Sequence, residues 1–315
     1  MTALALLALL LAQEATDATP TGTPLGLPLR PGADAREAGL AELGARLFVE
    51  PRLSADGSVS CAACHRAEHH FADAEPLSRG AHGRRTERNT PTLVNRAYGT
   101  RFMWDGRAAT LEEQVLLPIE NPLEMDLPLP RALALLAADP GYRADFERLL
   151  GRAPDAEGLG QALAAHVRTL VLGDSPVDRF RAGDFEALDD AARAGLWFYE
   201  SRGRCWRCHS GPNFSDEDFH NTGVGAVDGA PEAGRAAITG QAADRGRFKT
   251  PTLRGVALTA PYMHDGSLAT LEEVVEFYRQ GGRPNDNLDP ALASLEMSAQ
   301  DAGNLLAFLR ALSTR

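Results

Sequence analysis

Two short strings of the 315-residue chain constrain its fold more than any other feature. Both are Cys-x-x-Cys-His runs, the attachment pattern of a c-type haem. Two thiols three positions apart bond the vinyl groups of one porphyrin, and the adjacent histidine reaches the iron. The chain has four cysteines, and the two runs use all of them, with Cys61, Cys64 and His65 in the first and Cys205, Cys208 and His209 in the second. The alternative, one zinc site built from four thiolates, leaves both histidines unexplained, so the sequence predicts two covalent haem groups.

The N-terminal segment predicts export. Residues 1–12 form an uncharged Ala/Leu run that is too short to span a bilayer and is typical of a signal peptide, which we assign to residues 1–15. An uncleaved anchor stays open as an alternative, because no basic residue precedes the run. Residues 16–35 are rich in Thr, Pro and Gly and predict a flexible leader. Export fits the cofactor, since c-type haems are attached outside the cytoplasm.

The net charge of −11 at pH 7 limits the classes of partner. Nucleic acid is disfavoured, because phosphates demand basic surfaces. A small basic electron-carrier protein is favoured, although acidity that merely serves solubility explains the charge equally well. No segment after the N-terminal run is long and apolar enough to cross a membrane.

Helical periodicity of apolar residues recurs along the chain, whereas strand patterns are sparse. It predicts an all-α fold with long loops that pack on haem. Two Thr-Leu-Glu-Glu strings, which begin at Thr110 and Thr270, predict capping boxes at helix starts. The predicted helices cover residues 40–48, 131–150 with a break near Pro140, 158–172, 189–202, 271–278 and 298–312.

An internal repeat joins the two halves of the chain. Residues 90–93 (TPTL) match 250–253, residues 104–106 (WDG) match 264–266 (HDG), and residues 109–113 (ATLEE) match 269–273, always at an offset of 160 (250 − 90). We therefore predict two cytochrome c-like haem domains related by duplication, over residues 36–175 and 187–315. The boundary is predicted near residues 173–187, which carry Gly, Pro and charge.

The repeat also allows the far sides of the two haems to be compared. Tyr278 lies 160 positions after Pro118. Tyrosine can ligate haem iron and proline cannot. If Tyr278 faces the second iron, the first haem keeps an open pocket lined by Pro118, which predicts chemistry at the first haem and relay at the second. A half-buried helix aromatic without a ligand role is the alternative interpretation of Tyr278.

The sequence resembles the bacterial di-haem cytochrome c peroxidase family, and within it the MauG-like branch. The resemblance covers nearly everything after about residue 36 and implies a two-domain all-α fold in the periplasm, with peroxide chemistry at the N-terminal haem and electron entry through the C-terminal haem. It rests on both haem runs and on residues 88–93 (RNTPTL), 102–107 (FMWDGR), 118–125 (PIENPLEM), 246–254 (GRFKTPTLR) and 258–266 (LTAPYMHDG).

The resemblance implies roles for residues around the first haem. Trp104 would lie between the haems and assist electron passage. Glu124 would move a proton between the two peroxide oxygens, work that suits a carboxylate in a dry pocket. Gln114 and Pro118 match pocket residues of the MauG-like branch. His82 lies one position from a histidine that gates the iron in some relatives, and a solvent-facing loop histidine is the alternative.

The resemblance also implies metal ligands. Asn89, Thr259 and Pro261 match a calcium site between the haems, and oxygen donors suit that hard cation. Ordinary peroxidases of the family place a Met ligand fourteen residues after the histidine of the His-Asp-Gly run, and MauG-like proteins have Tyr there. The corresponding residue here is Tyr278 (264 + 14), which favours Tyr278 as a ligand of the second iron. Met263 is the weaker substitute.

These observations predict an oxidoreductase: a periplasmic di-haem peroxidase that reduces hydrogen peroxide with electrons from a cytochrome c or copper protein. The alternative within the class is MauG-like oxidation of aromatic residues of a partner protein. The alternative from another class is a non-catalytic di-haem electron carrier, which requires both irons to be filled by strong ligands.

Overall fold

The computed structural model of the chain describes residues 22–29 and 34–314. The predicted signal peptide and much of the predicted leader lie outside the described residues. Within the described ranges, no helix combines the length and the apolar character that a membrane span requires.

The N-terminal half contains the helices predicted from periodicity and several short ones. A break divides residues 131–150, because the Asp139 carboxylate accepts the Gly141 N–H at 2.9 Å and starts a new helix at Pro140. The helices are α1 (Ala35–Phe48), α2 (Cys61–Cys64), α3 (Leu111–Gln114), α4 (Leu117–Glu120), α5 (Leu129–Ala138), α6 (Pro140–Leu150) and α7 (Ala156–Thr169).

The C-terminal half is also mainly helical. Its helices are α8 (Pro176–Arg181), α9 (Asp190–Glu200), α10 (Ala236–Thr239), α11 (Leu271–Arg279) and α12 (Ala299–Ala311), and β1 (Phe219–His220) pairs antiparallel with β2 (Phe248–Lys249). Both predicted capping boxes are present, at Thr110 before α3 and at Thr270 before α11. The prediction of a helix-rich chain with little strand is confirmed.

Two hydrophobic clusters organise the described residues, one drawn from residues 40–167 and the other from 177–312. In the first, α1 packs against α7, and in the second, α9 packs against α12. Each pair meets closely at a glycine. A Cβ on Gly44 would lie 1.9 Å from the Ala162 carbonyl oxygen, and a Cβ on Gly195 would lie 1.9 Å from the Asn304 carbonyl oxygen. No larger residue fits at either crossing.

The structure differs from two expectations about the connecting segments. The predicted boundary near residues 173–187 contains α8, whose Val177 is fully buried in the C-terminal cluster. Residues 22–29, predicted to belong to a flexible leader, pack against the C-terminal half. The Leu25 N–H donates to Asp174 Oδ1 at 2.8 Å, and Arg254 Nη2 donates to the Gly26 carbonyl at 3.0 Å. These bonds satisfy the leader backbone and hold it in place.

One buried ion pair supports this arrangement. Arg254 and Asp178 are 1% and 3% exposed, and the guanidinium donates to both carboxylate oxygens at 2.7 and 2.9 Å. Burial alone would raise the pKa of Asp178, but the bonds from Arg254 and Ser175 outweigh it and hold that pKa below its ordinary value. The pair joins α8, the leader and the loop before α11.

We predict that Arg254→Met lowers the free energy of unfolding by about 3–5 kcal/mol, because it leaves the Asp178 carboxylate buried and unpaired. Chemical denaturation of the haem-loaded protein measures the change. Arg310→Met is the matched control: Arg310 pairs with Glu272, both side chains are more than half exposed (57% and 55%), and the loss there should stay within about 1 kcal/mol. Equal losses in the two variants would contradict the prediction.

Candidate haem sites

The first Cys-x-x-Cys-His run folds as a single helical turn followed by its histidine. α2 carries both cysteines, and the His65 N–H donates to the Cys61 carbonyl at 2.9 Å. The His65 ring is held by Nδ1, which lies 2.9 Å from the Phe71 carbonyl oxygen. A carbonyl only accepts, so Nδ1 carries the hydrogen and Nε2 is left with its lone pair for a metal. Burial lowers the pKa of His65, which keeps the ring neutral.

The second run repeats this geometry. The His209 N–H donates to the Cys205 carbonyl at 2.9 Å, and His209 Nδ1 lies 3.0 Å from the Phe214 carbonyl oxygen. Burial lowers the pKa of His209 to about 4, so this ring is also neutral at physiological pH. Each run therefore presents a neutral imidazole whose Nε2 can ligate iron.

The surroundings of the cysteines fit haem thioethers better than zinc thiolates. Burial raises the pKa of Cys61 and of Cys205 to about 12, which disfavours the thiolate that zinc requires. The two pairs also lie apart, since Cys61 packs against the N-terminal cluster and Cys205 against the C-terminal one. A neutral sulfur in an apolar wall is what a thioether bond to a porphyrin needs.

A large, mostly apolar cavity adjoins the second run. Tyr278 lines it together with Cys205, Cys208 and His209. Burial, with the cysteine sulfurs adding to it, raises the pKa of Tyr278 above its ordinary value. The phenol makes no hydrogen bond among the described residues. The structure thus brings Tyr278 into the same cavity as the second histidine, and a ligated metal is what would stabilise its phenolate there. The remaining wall is mainly apolar and includes Leu271, Val275, Met297, Leu305 and Leu309.

The residues assigned to the first haem's far side occupy α3, α4 and the turn that follows. Glu124 accepts a hydrogen bond from Asn121 Nδ2 at 2.6 Å, and burial raises its pKa despite that bond and the nearby charge of Arg107. Beyond the effect of burial, the Glu124 charge raises the pKa of Cys61 and of Cys64, so this carboxyl lies within electrostatic range of the first haem run.

Two further predicted pocket residues, Gln114 and Pro118, lie on α3 and α4. Gln114 Nε2 lies 3.7 Å from the Met103 sulfur. The Pro118 carbonyl accepts the Met125 N–H at 3.1 Å, which ties α4 to the turn that carries Glu124.

His82 lies on a loop that is tied to the same turn through the Ala81 N–H and the Glu124 carbonyl, 2.6 Å apart. Its side chain is 45% exposed and lies between two carboxylates, with nitrogens 3.5 Å from Asp56 and 3.8 Å from Asp126. The structure thus gives His82 acidic surface partners, and its role as an iron ligand stays a prediction.

Trp104 lies at the junction of the two halves. Its indole Nε1 donates to the Asn89 carbonyl at 2.8 Å, and its own carbonyl accepts the Lys249 N–H at 2.8 Å. Its ring also meets the ring of His264, with centroids 6.3 Å apart. Trp104 is therefore held by Asn89 of the N-terminal half through its indole N–H and by β2 of the C-terminal half through its backbone carbonyl.

The three residues assigned to calcium line the cavity that adjoins the second haem run, on its side toward Trp104. Asn89 uses its amide nitrogen on the Pro76 carbonyl at 3.1 Å, and Thr259 uses its hydroxyl on the Val256 carbonyl at 3.2 Å. These bonds leave three oxygens for a metal: the side-chain oxygen of Asn89 and the backbone carbonyls of Thr259 and Pro261. Oxygen ligands of this kind suit a hard cation.

Sequence reasoning missed two charged groups beside the second run. His220 lies between Asp289 at 2.7 Å and Asp216 at 3.0 Å, and the bond with Asp216 is the main reason that its pKa rises to about 11. Lys249 is the other, and burial lowers its pKa to about 7. One signal for Lys249 was present, because it is the only lysine in the sequence. His220 carried none, since both of its partners are set by the fold.

Comparison with known proteins agrees with this geometry. The family profile described as di-haem cytochrome c peroxidase matches residues 38–186. The chain is 39% identical over 272 residues to methylamine utilization protein MauG of Methylorubrum extorquens, covering 86% of this chain and 77% of that protein. It belongs to the di-haem cytochrome c peroxidase family. It is also 37% identical to cytochrome-c peroxidase IdrP2 of Denitromonas iodatirespirans, covering 90% of this chain and 84% of that protein.

Among solved structures, this di-haem peroxidase is similar to a MauG-like protein associated with microbial copper homeostasis, with a TM-score of 0.82, 32% identity, and coverage of 94% of this chain and 95% of that one. Membership of the family makes the protein an oxidoreductase and implies two haem c groups. The cysteines and histidines of the two runs would hold them.

We predict that Tyr278→Phe converts the second haem from six- to five-coordinate, because phenylalanine keeps the ring and lacks the phenol oxygen that would bind the iron. Electron paramagnetic resonance (EPR) of the ferric protein measures this as a low-spin signal replaced by a high-spin one. Tyr262→Phe is the control, since that phenol lines the same cavity and donates to the Val256 carbonyl at 3.0 Å. An unchanged spectrum in Tyr278→Phe would exclude Tyr278 as a ligand.

Proposed function

We propose that this peroxidase reduces hydrogen peroxide at the haem of His65, with electrons that enter through the haem of His209. The observation that carries the proposal is an asymmetry between the two sites. A buried carboxyl, Glu124, lies within range of the first cysteine pair, whereas a phenol, Tyr278, lines the cavity of the second. The first site thus offers acid–base chemistry on its far side and the second offers a ligand.

Bound haem would supply the redox-active iron at which peroxide is cleaved. The protein's own task is to move a proton from one peroxide oxygen to the other. Glu124 suits this task because burial raises its pKa above the ordinary value of a glutamate, which makes the carboxyl easier to protonate. The hydrogen bond from Asn121 Nδ2 orients the group and leaves one carboxylate oxygen for the substrate.

Trp104 would connect the two sites. Its indole N–H donates to a carbonyl, which accepts a hydrogen bond but cannot take the proton. An electron could therefore pass through the ring without loss of that proton. The fixed contacts of Trp104 with both halves support this role, because electron transfer needs constant distances.

A second candidate function is MauG-like oxidation of aromatic residues of a partner protein. The position of Tyr278 favours it, because an anionic oxygen ligand stabilises ferric and higher iron and lowers the tendency to accept electrons. Relatives with either name match this chain, so the MauG-like branch itself is part of the proposal. A non-catalytic electron carrier is disfavoured, since Pro118 offers no ligand to the first iron.

We further propose that the protein works in the periplasm and that its halves arose by duplication. The Ala/Leu run at the N-terminus supports export. The shared His-to-carbonyl bonds, the two capping boxes and the constant offset of 160 between the repeats (250 − 90) support duplication.

We predict one calcium ion per chain at Asn89, Thr259 and Pro261. Removal by a chelator should change the ferric spectrum of the second haem, because Asn89 also holds Trp104 through its carbonyl. Metal analysis and titration of calcium into chelated protein measure both effects. A protein without bound calcium and indifferent to added calcium would contradict the assignment.

We predict that Glu124→Gln lowers peroxide turnover by about a hundredfold or more, because glutamine keeps the shape and the Asn121 contact but cannot transfer a proton. Steady-state peroxide consumption with a reduced cytochrome c as donor measures the loss. Glu68→Gln is the control, since Glu68 is exposed on the loop after the first haem run. Normal turnover in Glu124→Gln would remove Glu124 from the mechanism.

A further inference from the structure

A single lysine lies in the interior of a chain that otherwise uses arginine. The sequence contains 32 lysine and arginine residues, and Lys249 is the only lysine among them. It is only 8% exposed, and it lines the cavity that also contains His209 and Tyr278. Lysines are among the residues that are least often buried, so this position needs a reason.

The hydrogen bonds of Lys249 do not supply that reason. Its ammonium donates to the Thr250 carbonyl at 2.8 Å and lies 3.7 Å from Glu217 Oε1. Arg96 already binds both Glu217 oxygens, at 2.8 and 3.0 Å. The cluster of Arg96, Lys249 and Glu217 therefore holds two positive charges and one negative charge, all with side chains at most 10% exposed.

Three other charged groups nearby, His220, Asp216 and Asp289, carry one surplus negative charge, so the six groups sum to zero when Lys249 is protonated. Asp216 attracts the Lys249 charge but is itself bonded to the charged His220, which Asp289 also binds. The His209 ring feels the Lys249 charge, which helps to lower its pKa after the larger effect of burial. The Lys249 charge thus lies within electrostatic range of the second haem's histidine, and loss of its proton would leave these six groups with a net negative charge.

We propose that Lys249 is an electrostatic positioning residue for the second haem: its buried ammonium raises the reduction potential of the haem that His209 ligates, and its proton couples that potential to pH. A positive charge disfavours ferric iron relative to ferrous iron, so the ammonium favours reduction. When the haem takes one electron from the donor, the amine takes one proton from water. Arginine could not do this, because it stays charged at every accessible pH.

The local contacts link this charge to the proposed electron path. The backbone N–H of Lys249 donates to the backbone carbonyl of Trp104. In addition, Arg96 of the N-terminal half binds Glu217 of the C-terminal half. A proton on Lys249 would therefore influence the haem next to the junction through which electrons pass. Since burial lowers the pKa of Lys249 to about 7, the coupling falls in the physiological range.

Potentiometric titration of the haem-loaded protein from pH 6 to pH 9 tests the proposal. In the wild type, the potential of the second haem should fall as the pH rises. Lys249→Arg should keep the high potential at every pH, because its charge is permanent. Lys249→Met should show the low potential at every pH. At pH 6 the Met variant should differ from the wild type by at least tenfold in the oxidised-to-reduced ratio, about 59 mV for one electron.

A merely structural role would shift both variants in the same direction and leave the pH slope intact, and that result would overturn the proposal. The titration of His220, which Asp216 and Asp289 bind, is separated from that of Lys249 by the Lys249→Met variant, which would keep the pH slope of the wild type if His220 caused it. If either variant fails to fold, the proposal can still be tested on the wild-type protein by nuclear magnetic resonance. Labelling with [ε-¹³C]lysine gives one lysine signal, whose pKa should be higher in the reduced than in the oxidised protein. Equal pKa values in the two states would refute the coupling.

The proposal rests on the proposed function only in requiring haem at His209. If the purified protein shows no c-type haem absorption from the second run, the proposed function is refuted, and the role of Lys249 with it. If both haems are present and the reduction potential of the second haem is the same in the wild type and the Lys249 variants, only the role of this residue is refuted.

Discussion

The hydrogen bond from a histidine Nδ1 to a backbone carbonyl is the interaction on which both sites depend. In each half it fixes the ring that follows the second cysteine, with Phe71 as acceptor for His65 and Phe214 as acceptor for His209. Burial keeps both rings neutral, so each Nε2 can bind a metal. The two hydrophobic clusters serve this geometry, because they hold the acceptor loops and the cysteine turns against one another.

The two sites share this proximal geometry and differ on their far sides. The first has a buried carboxyl with a raised pKa, and the second has a phenol and a buried lysine. Trp104 joins them, since its indole N–H binds the backbone of one half and its carbonyl binds the backbone of the other. We infer that the protein separates proton chemistry at the first haem from control of the potential at the second, with the indole as the link.

Sequence patterns predicted the local features well. The haem runs, the main helices and both capping boxes depend on neighbouring residues, so spacing alone reveals them. Features set by distant contacts were not predictable. The leader packs because Arg254, 228 residues away, binds the Gly26 carbonyl, and the buried Lys249 lies near Arg96 and Glu217, which the fold brings to it from elsewhere in the chain. The gathering of Asn89, Thr259 and Pro261 in one cavity was reached only through family resemblance, since their side chains carry little metal-binding signal.

The central claim is that one haem is open and reactive while the other is closed and coupled to it. Low-temperature EPR of the ferric protein, before and after one equivalent of peroxide, tests this claim most directly. We predict one high-spin and one low-spin signal, both of which disappear when peroxide is added. Two low-spin signals that ignore peroxide, even after partial reduction, would contradict the account and leave an electron carrier in its place.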